Sequence, residues 1–326
     1  MKYISSIFLL FFVLIFYSCD DAGISSVNTG SITVNNLKPI NQNIEGIYEL
    51  WASVESAADH GENAYKSLGR FVVNSQSQLT DTAGSPFKPN LNKISNINRI
   101  EDIIITIQPP GYNDTIPSNI KILGGAKRVT GSQLVFNLTM NYIDILPVSV
   151  QIPSSLAEFI LASPSAGIAS AQYKRGIWFT KDTNGNSSGL TLPVLPDTAE
   201  WVYQAWVIDN SNTNYIYNIG RFSSPNNSDD YQQCRQSGGL DWQKPGNDWL
   251  ISNCPGGIPD IINLENNYKI LITLEPKYEQ GTALNIPFYL EIFSVNIASL
   301  PFGSIQSAAN IFNSNLPSAQ VIISSN

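Results

Sequence analysis

Tyr48-Glu-Leu-Trp51-Ala-Ser-Val54 and Tyr203-Gln-Ala-Trp206-Val-Ile208 each set a tyrosine and a tryptophan three residues apart among apolar and β-branched neighbours. Both aromatics are displaced by 155 residues between the two segments. Ser67-Leu-Gly69-Arg70-Phe71 returns as Asn218-Ile-Gly220-Arg221-Phe222, with Gly69, Arg70 and Phe71 displaced by 151 residues. Ile103-Ile-Ile-Thr106-Ile-Gln-Pro109 returns as Ile270-Leu-Ile-Thr273-Leu-Glu-Pro276, 167 residues on. Three matches in one order are the signature of an internal duplication. The changing offsets mark a small deletion and then a 16-residue insertion in the second copy.

Each matched segment reads as a strand. The Tyr/Trp segments are rich in aromatic and β-branched residues. Ile32-Thr-Val34 and Leu190-Thr-Leu192, ahead of each copy, alternate apolar and polar positions. Gly69 and Gly220 suit a bulge or a close backbone approach. Pro109 and Pro276 end strands, because proline donates nothing to a ladder. Residues three apart on a strand face opposite sides, so Tyr48, Trp51, Tyr203 and Trp206 read as core, one of each pair covering an edge or loop. Long amphipathic helices are lacking; Ser154–Ala162 is the best short candidate. The expectation is an all-β chain of two tandem antiparallel β-sandwich domains related by duplication. The divisions expected are a signal peptide at 1–18, a tether at 19–29, copy one at 30–163 and copy two at 164–326.

The totals agree. A chain of 326 residues suits about two domains. Charged residues make up 13%, about half the usual quarter, and the net charge is −8. Nothing in that balance displaces phosphate counterions, so no nucleic-acid partner is expected. Attraction to anionic headgroups is excluded on the same ground. His60 is the single histidine. Multi-histidine metal sites are therefore ruled out, and His60 itself reads as a solvated loop residue. Phosphate-binding glycine motifs, Gly-x-Ser-x-Gly and His-Glu-x-x-His are missing. The chain is expected to be no enzyme, with no cofactor and no metal.

The start of the chain points outward. Lys2 precedes the apolar run Ile7–Phe16, which is too short to span a bilayer as a helix and has the length of a signal-peptide core. Tyr17-Ser18-Cys19 follows, resembling a lipoprotein signal in which Cys19 is cleaved free and acylated. Several acyl chains on Cys19 would fix the protein stably to a membrane. Asp20 and Asp21 resemble the acidic pair of surface-displayed lipoproteins in Bacteroidetes. The expected place is the cell envelope: the outer membrane, at its periplasmic face or the cell surface.

The duplicated pattern resembles the extracytoplasmic C-terminal domain of the anti-sigma-K factor family. Tyr48, Trp51, Leu68, Gly69, Phe71, Ile105, Ile107 and Pro109 carry the resemblance in copy one. Tyr203, Trp206, Ile219, Gly220, Phe222, Ile272, Leu274 and Pro276 carry it in copy two. Phe159–Pro164, Arg175–Phe179 and Gly189–Pro193 look like lipoproteins bearing this domain. That family holds its sigma factor with a cytoplasmic helical region. Only Met1–Ser6 precede the apolar run here, so direct sigma binding is not expected. The implied role is a non-enzymatic interaction or structural module, or an accessory of envelope-stress signalling.

Remaining candidates cluster in the second copy. Cys234 and Cys254 are an even pair once Cys19 is set aside, and an exported chain would bridge them. The enclosed loop carries Asp241, Trp242, Asp248 and Trp249. Two tryptophans there offer a platform for a glycan or peptide, or pack as the loop's own small core. Asp182-Thr-Asn184-Gly-Asn186 resembles half of a calcium loop, but Ser187 and Pro193 depart from that pattern; it reads as an Asn-Gly turn. Thr82, Thr115 and Thr198 each follow aspartate and precede an apolar residue, resembling O-glycosylation sites of exported Bacteroidetes proteins.

Overall fold

Strands form where apolar residues recur at every second position. In β7 (Gln133–Thr139), Leu134, Phe136 and Leu138 are buried and Gln133, Asn137 and Thr139 exposed. In β16 (Ser318–Ser324), Ala319, Val321 and Ile323 are the buried set. The computed structural model describes residues 28–54, 65–113, 115–164, 175–213, 215–231, 242–248, 263–265, 267–277, 286–298 and 300–324.

These residues are nearly all β, in two eight-stranded antiparallel sheets that form two similar half-barrel or sandwich units. The first sheet runs β1 (Thr29–Asn35), β16, β7, β6 (Lys121–Thr130), β5 (Ile100–Gln108), β2 (Ile47–Val54), β3 (Tyr65–Val73) and β4 (Leu79–Thr80). The second runs β11 (Ile216–Phe222), β10 (Trp201–Asp209), β13 (Tyr268–Pro276), β14 (Glu291–Asn296), β15 (Ile305–Asn310), β8 (Ala157–Leu161), β9 (Ile177–Trp178) and β12 (Gly246–Asn247). The central strands follow the repeat. β2 pairs with β3 and β5 as β10 pairs with β11 and β13. Register slips at the same point in each copy, between Leu50 and Trp51 and between Ala205 and Trp206. Gly69 and Gly220 lie opposite, at φ +127° and +148°, a bulge geometry that L side chains resist. A Cβ on Gly220 would fall 2.3 Å from Asp229 Oδ1.

The outer strands are exchanged. β8 follows β7 in the chain, yet it pairs with β15 in the second sheet. β16 follows β15, yet it pairs with β7 and β1 in the first. The two strands match at an offset of 162: Ala157, Phe159 and Leu161 against Ala319, Val321 and Ile323, all buried. Thus segment 30–163 supplies a strand to the second sheet, and segment 164–326 returns one to the first. Ser154–Ala162, the best short helix candidate, does not form one. A 3-10 turn over Pro147–Ser154 leads into β8 instead. A brief apolar run fits either period, and pairing with β15 decides it. Leu190–Leu192 makes only a bridge, at Ala157, and stands beside β8 as β1 stands beside β16.

Buried apolar side chains of both units form one contiguous cluster. Tyr48 donates to Lys38 O at 2.9 Å and meets the hydroxyl of Tyr289, from the second unit, at 3.3 Å. Among the described residues no helix is long and apolar enough to cross a membrane.

Candidate functional site

Several expected site residues lie outside the described residues: Cys19, His60, Cys234, Asp241, Trp249 and Cys254. Two of the loop residues, Trp242 and Asp248, are placed, and both are buried. Trp242 is 7% exposed and packs edge-on against Trp178, ring centroids 5.6 Å apart. Asp248 is fully buried and accepts from the Trp178 indole Nε1 at 2.5 Å. Trp242 and Asp248 therefore belong to a small core around β9. The Asn184-Gly185 turn lies against it: Gly185 has φ +71°, and a Cβ there would come within 2.2 Å of Trp242. Asp182 closes that turn by accepting from the backbone N–H groups of Asn184, Asn186 and Ser187. Desolvation raises its carboxyl, but the N–H groups of Asn186, Ser187 and Asn184 outweigh it and hold the group below its usual range. Thr82, Thr115 and Thr198 are all exposed.

The residues that converge were legible in the sequence as repeat and core positions, not as a site. They lie on the side of β2 and β5 turned away from the main core, and again on β10 and β13. In copy one, Trp51 Nε1 donates to Thr106 Oγ1 at 3.0 Å. In copy two, Trp206 Nε1 donates to Thr273 Oγ1 at 2.8 Å. Arg70 Nε pairs with Glu49 at 2.9 Å, and Ser67 donates to the same carboxylate at 2.5 Å. Arg221 Nε donates to Gln204 Oε1 at 2.7 Å. Gln108 Nε2 donates to Thr106 at 3.2 Å. Its counterpart, Glu275, accepts from Thr273 Oγ1 and from Phe288 N–H. Indole, threonine and arginine are thus kept, while carboxylate and carboxamide change places. The repeated Trp and Thr were visible in the sequence; that their side chains meet across adjacent strands follows from register alone (Trp51 opposite Ile104, Trp206 opposite Leu271).

The two faces differ in what surrounds this polar set. In copy two, Trp206, Ile208 and Leu271 are buried together, with Ile216 packed on them. The same positions in copy one carry Trp51, Ser53, Ile104 and Tyr65. Here the surface opens into a cleft of about 360 Å³. Buried Glu49 and Trp51 form its floor, with Ser67 and Tyr65 beside them and exposed Lys66, Lys93 and Thr115 at the rim. Beyond Tyr65 lies Asp102. Burial, and next Asp144, push its carboxyl up to about 6, against the opposing pull of Lys121. Burial, and next the charge of Asp102, push the Tyr65 hydroxyl well above its ordinary range. Among the described residues no three His, Cys, Asp or Glu side chains gather as metal ligands would.

No protein family, no curated protein and no solved structure matches the chain.

Proposed function

We propose that the chain is a lipid-anchored cell-envelope lipoprotein that acts by binding, with copy one as the reading face and copy two as its structural partner. The unlike fate of one duplicated face carries this reading. Trp206 is covered by Ile208, Leu271 and Ile216 in copy two, whereas Trp51 and Glu49 floor a lysine-rimmed cleft in copy one. A volume of that size suits a small ligand or a protruding partner loop. The anchor is Cys19, and the first strand begins ten residues later at Thr29. A tether of that length reaches at most about 35 Å, which keeps the sheets near the membrane. The resemblance to the anti-sigma-K domain supports a partner-reading role outside the cytosol.

One experiment tests anchor and asymmetry together. A photo-crosslinking residue is placed at Lys93, or at Tyr215 on copy two, in full-length protein in cells fed a palmitate analogue. The expected result is an acylated chain, no label on Cys19→Ala, and a discrete crosslinked partner from position 93 only. An unlabelled wild-type chain, or the same crosslinks from both positions, would overturn the proposal.

A further inference from the structure

A second surface, apart from the cleft, is built from uncharged amides. Two adjoining depressions, of about 240 and 310 Å³, share Asn35, Thr139 and Ser318. They lie where the exchanged chains cross, beside the 3-10 turn Pro147–Ser154 and α1 (Phe312–Asn315). Strand register sets the polar rows. Thr33, Gln320 and Asn137 stand side by side across β1, β16 and β7, and Asn35, Ser318 and Thr139 form the next row. Gln320 Nε2 donates to Asn137 Oδ1 at 3.0 Å, which fixes that pair. Asn35, Asn141 and Asn313 are exposed, and among the described residues their side-chain amides have no hydrogen-bond partner. Val150, 58% exposed, and Leu316 add an apolar strip to the same groove.

We propose that this groove binds a neutral oligosaccharide. Each free amide offers one acceptor and two donors, the complement of neighbouring sugar hydroxyls that both give and take. The apolar strip meets the C–H face of a pyranose ring. No lining side chain of either depression is ionisable, in a chain of net charge −8. The ligand is therefore uncharged, and its binding is indifferent to salt, since screening acts only between charges. The groove sits at the Asn35 end of β1, and the tether leaves from the Thr29 end, where Thr29 pairs with Ser324. That separation is about 20 Å along the strand, so the groove opens away from the proposed anchor.

The test is calorimetry of the full chain with a panel of neutral hexasaccharides (glucan, mannan, xylan and N-acetylglucosamine types), at low and high salt. One of them is expected to bind, equally at both salt levels. Asn35→Ala/Asn141→Ala/Asn313→Ala is expected to weaken that binding at least about tenfold, the loss of several modest hydrogen bonds. Among the described residues these amides bond to no other group, so the variant should keep the parent melting temperature. No binding at about 5 mM, undiminished binding by the triple variant, or binding confined to acidic saccharides or to peptides would each overturn the proposal. Salt-sensitive binding that survives the triple variant but is lost in Lys66→Ala/Lys93→Ala would point to the cleft and leave this groove without a ligand.

Discussion

The polar faces of the two copies share one plan and differ in where they carry charge. Both keep a tyrosine whose hydroxyl donates to a backbone carbonyl ten residues upstream, Tyr48 to Lys38 and Tyr203 to Pro193. Both keep the indole-to-threonine bond and the glycine bulge. The tyrosine and indole bonds satisfy buried polar groups, so deleting one partner leaves the other short of a hydrogen bond. The ionisable positions, by contrast, have been reshuffled: Glu49 for Gln204, Gln108 for Glu275, Asp102 for Lys269, Lys121 for Glu291. The duplicated backbone fixes where a polar atom must sit, and the local partner decides whether that atom carries charge.

The largest expected effect breaks the comparison at its most surprising point, the exchanged strands. Phe159 belongs to the first sequence repeat, but its ring packs in the second unit, 6.4 Å from Phe179. Phe159→Ala removes a fully buried ring and should cost about 3–5 kcal/mol. Because the two units share one core, unfolding should stay a single transition. Hydrogen exchange should quicken first in β15 and β9, the neighbours of β8. Faster exchange in β7 instead would show that β8 sits with its own repeat and that the exchange is not the native pairing.

The next effect tests whether charge can be moved between copies. Glu275 accepts the backbone N–H of Phe288 at 2.9 Å. At the corresponding place in copy one, Ser118 donates its hydroxyl to Ile107 O at 2.6 Å. Position 108 receives no such donor, and Gln108 Oε1 has no partner among the described residues. Gln108→Glu would bury a carboxylate with little to stabilise it and should lower stability by on the order of 3 kcal/mol. Urea unfolding at neutral pH reads this directly. A variant as stable as its parent would mean that the two faces are electrostatically interchangeable.

What the sequence made legible was the part that repeats in order. The Tyr/Trp strand, the Gly-Arg-Phe strand and the Ile-rich strand all form; the three-residue spacing put each Tyr and Trp on opposite sides, and the structure puts Tyr48 and Tyr203 in the main core and leaves Trp51 and Trp206 outside it. The exchanged strands were missed although their match was present. Ala157–Leu161 and Ala319–Ile323 align without a gap, but a five-residue apolar run has no period of its own. Which sheet it joins depends on pairing between distant residues. The cleft was missed for a related reason. Glu49 and Ser67 lie on two repeated strands and Lys93 and Thr115 on separate segments, so only the fold brings the four together, and Thr115 had stood out for a different chemistry. Trp242, in turn, drew attention as a conspicuous aromatic, yet composition does not reveal that Trp178 waits beneath it.

The smallest effect concerns a single charge, and it sharpens the contrast between faces. Burial, and after it the neighbouring Asp144, raise the Asp102 carboxyl from 3.8 to about 6, and Glu101 adds to the rise; Lys121 and the hydrogen bond from Tyr65 oppose it. Asp102 Oδ1 has no partner among the described residues. Between these two values the folded protein holds a proton that the unfolded chain has released, so folding is favoured by protonation. That contribution is fully present below about 3.8 and is lost as pH rises through 6. Asp102→Asn keeps the group neutral at every pH. The variant should therefore melt higher than the parent at pH 7 and together with it near pH 4, the gap opening between about 4 and 6. The effect is modest because Asp102 is only partly buried and solvent screens it. Copy two has Lys269 at this position, and Lys269→Gln should produce no step in that window. Melting temperatures recorded from pH 4 to 8 for the three proteins decide the matter. Titrating groups that do not feel the Asp102 charge contribute equally to parent and variant and cancel in the difference, which leaves Asp102 with its neighbours Asp144, Glu101 and Lys121. Parallel curves for parent and Asp102→Asn would mean that this carboxyl ionises as freely as an exposed one, and that the open face of copy one carries full negative charge beside its lysines.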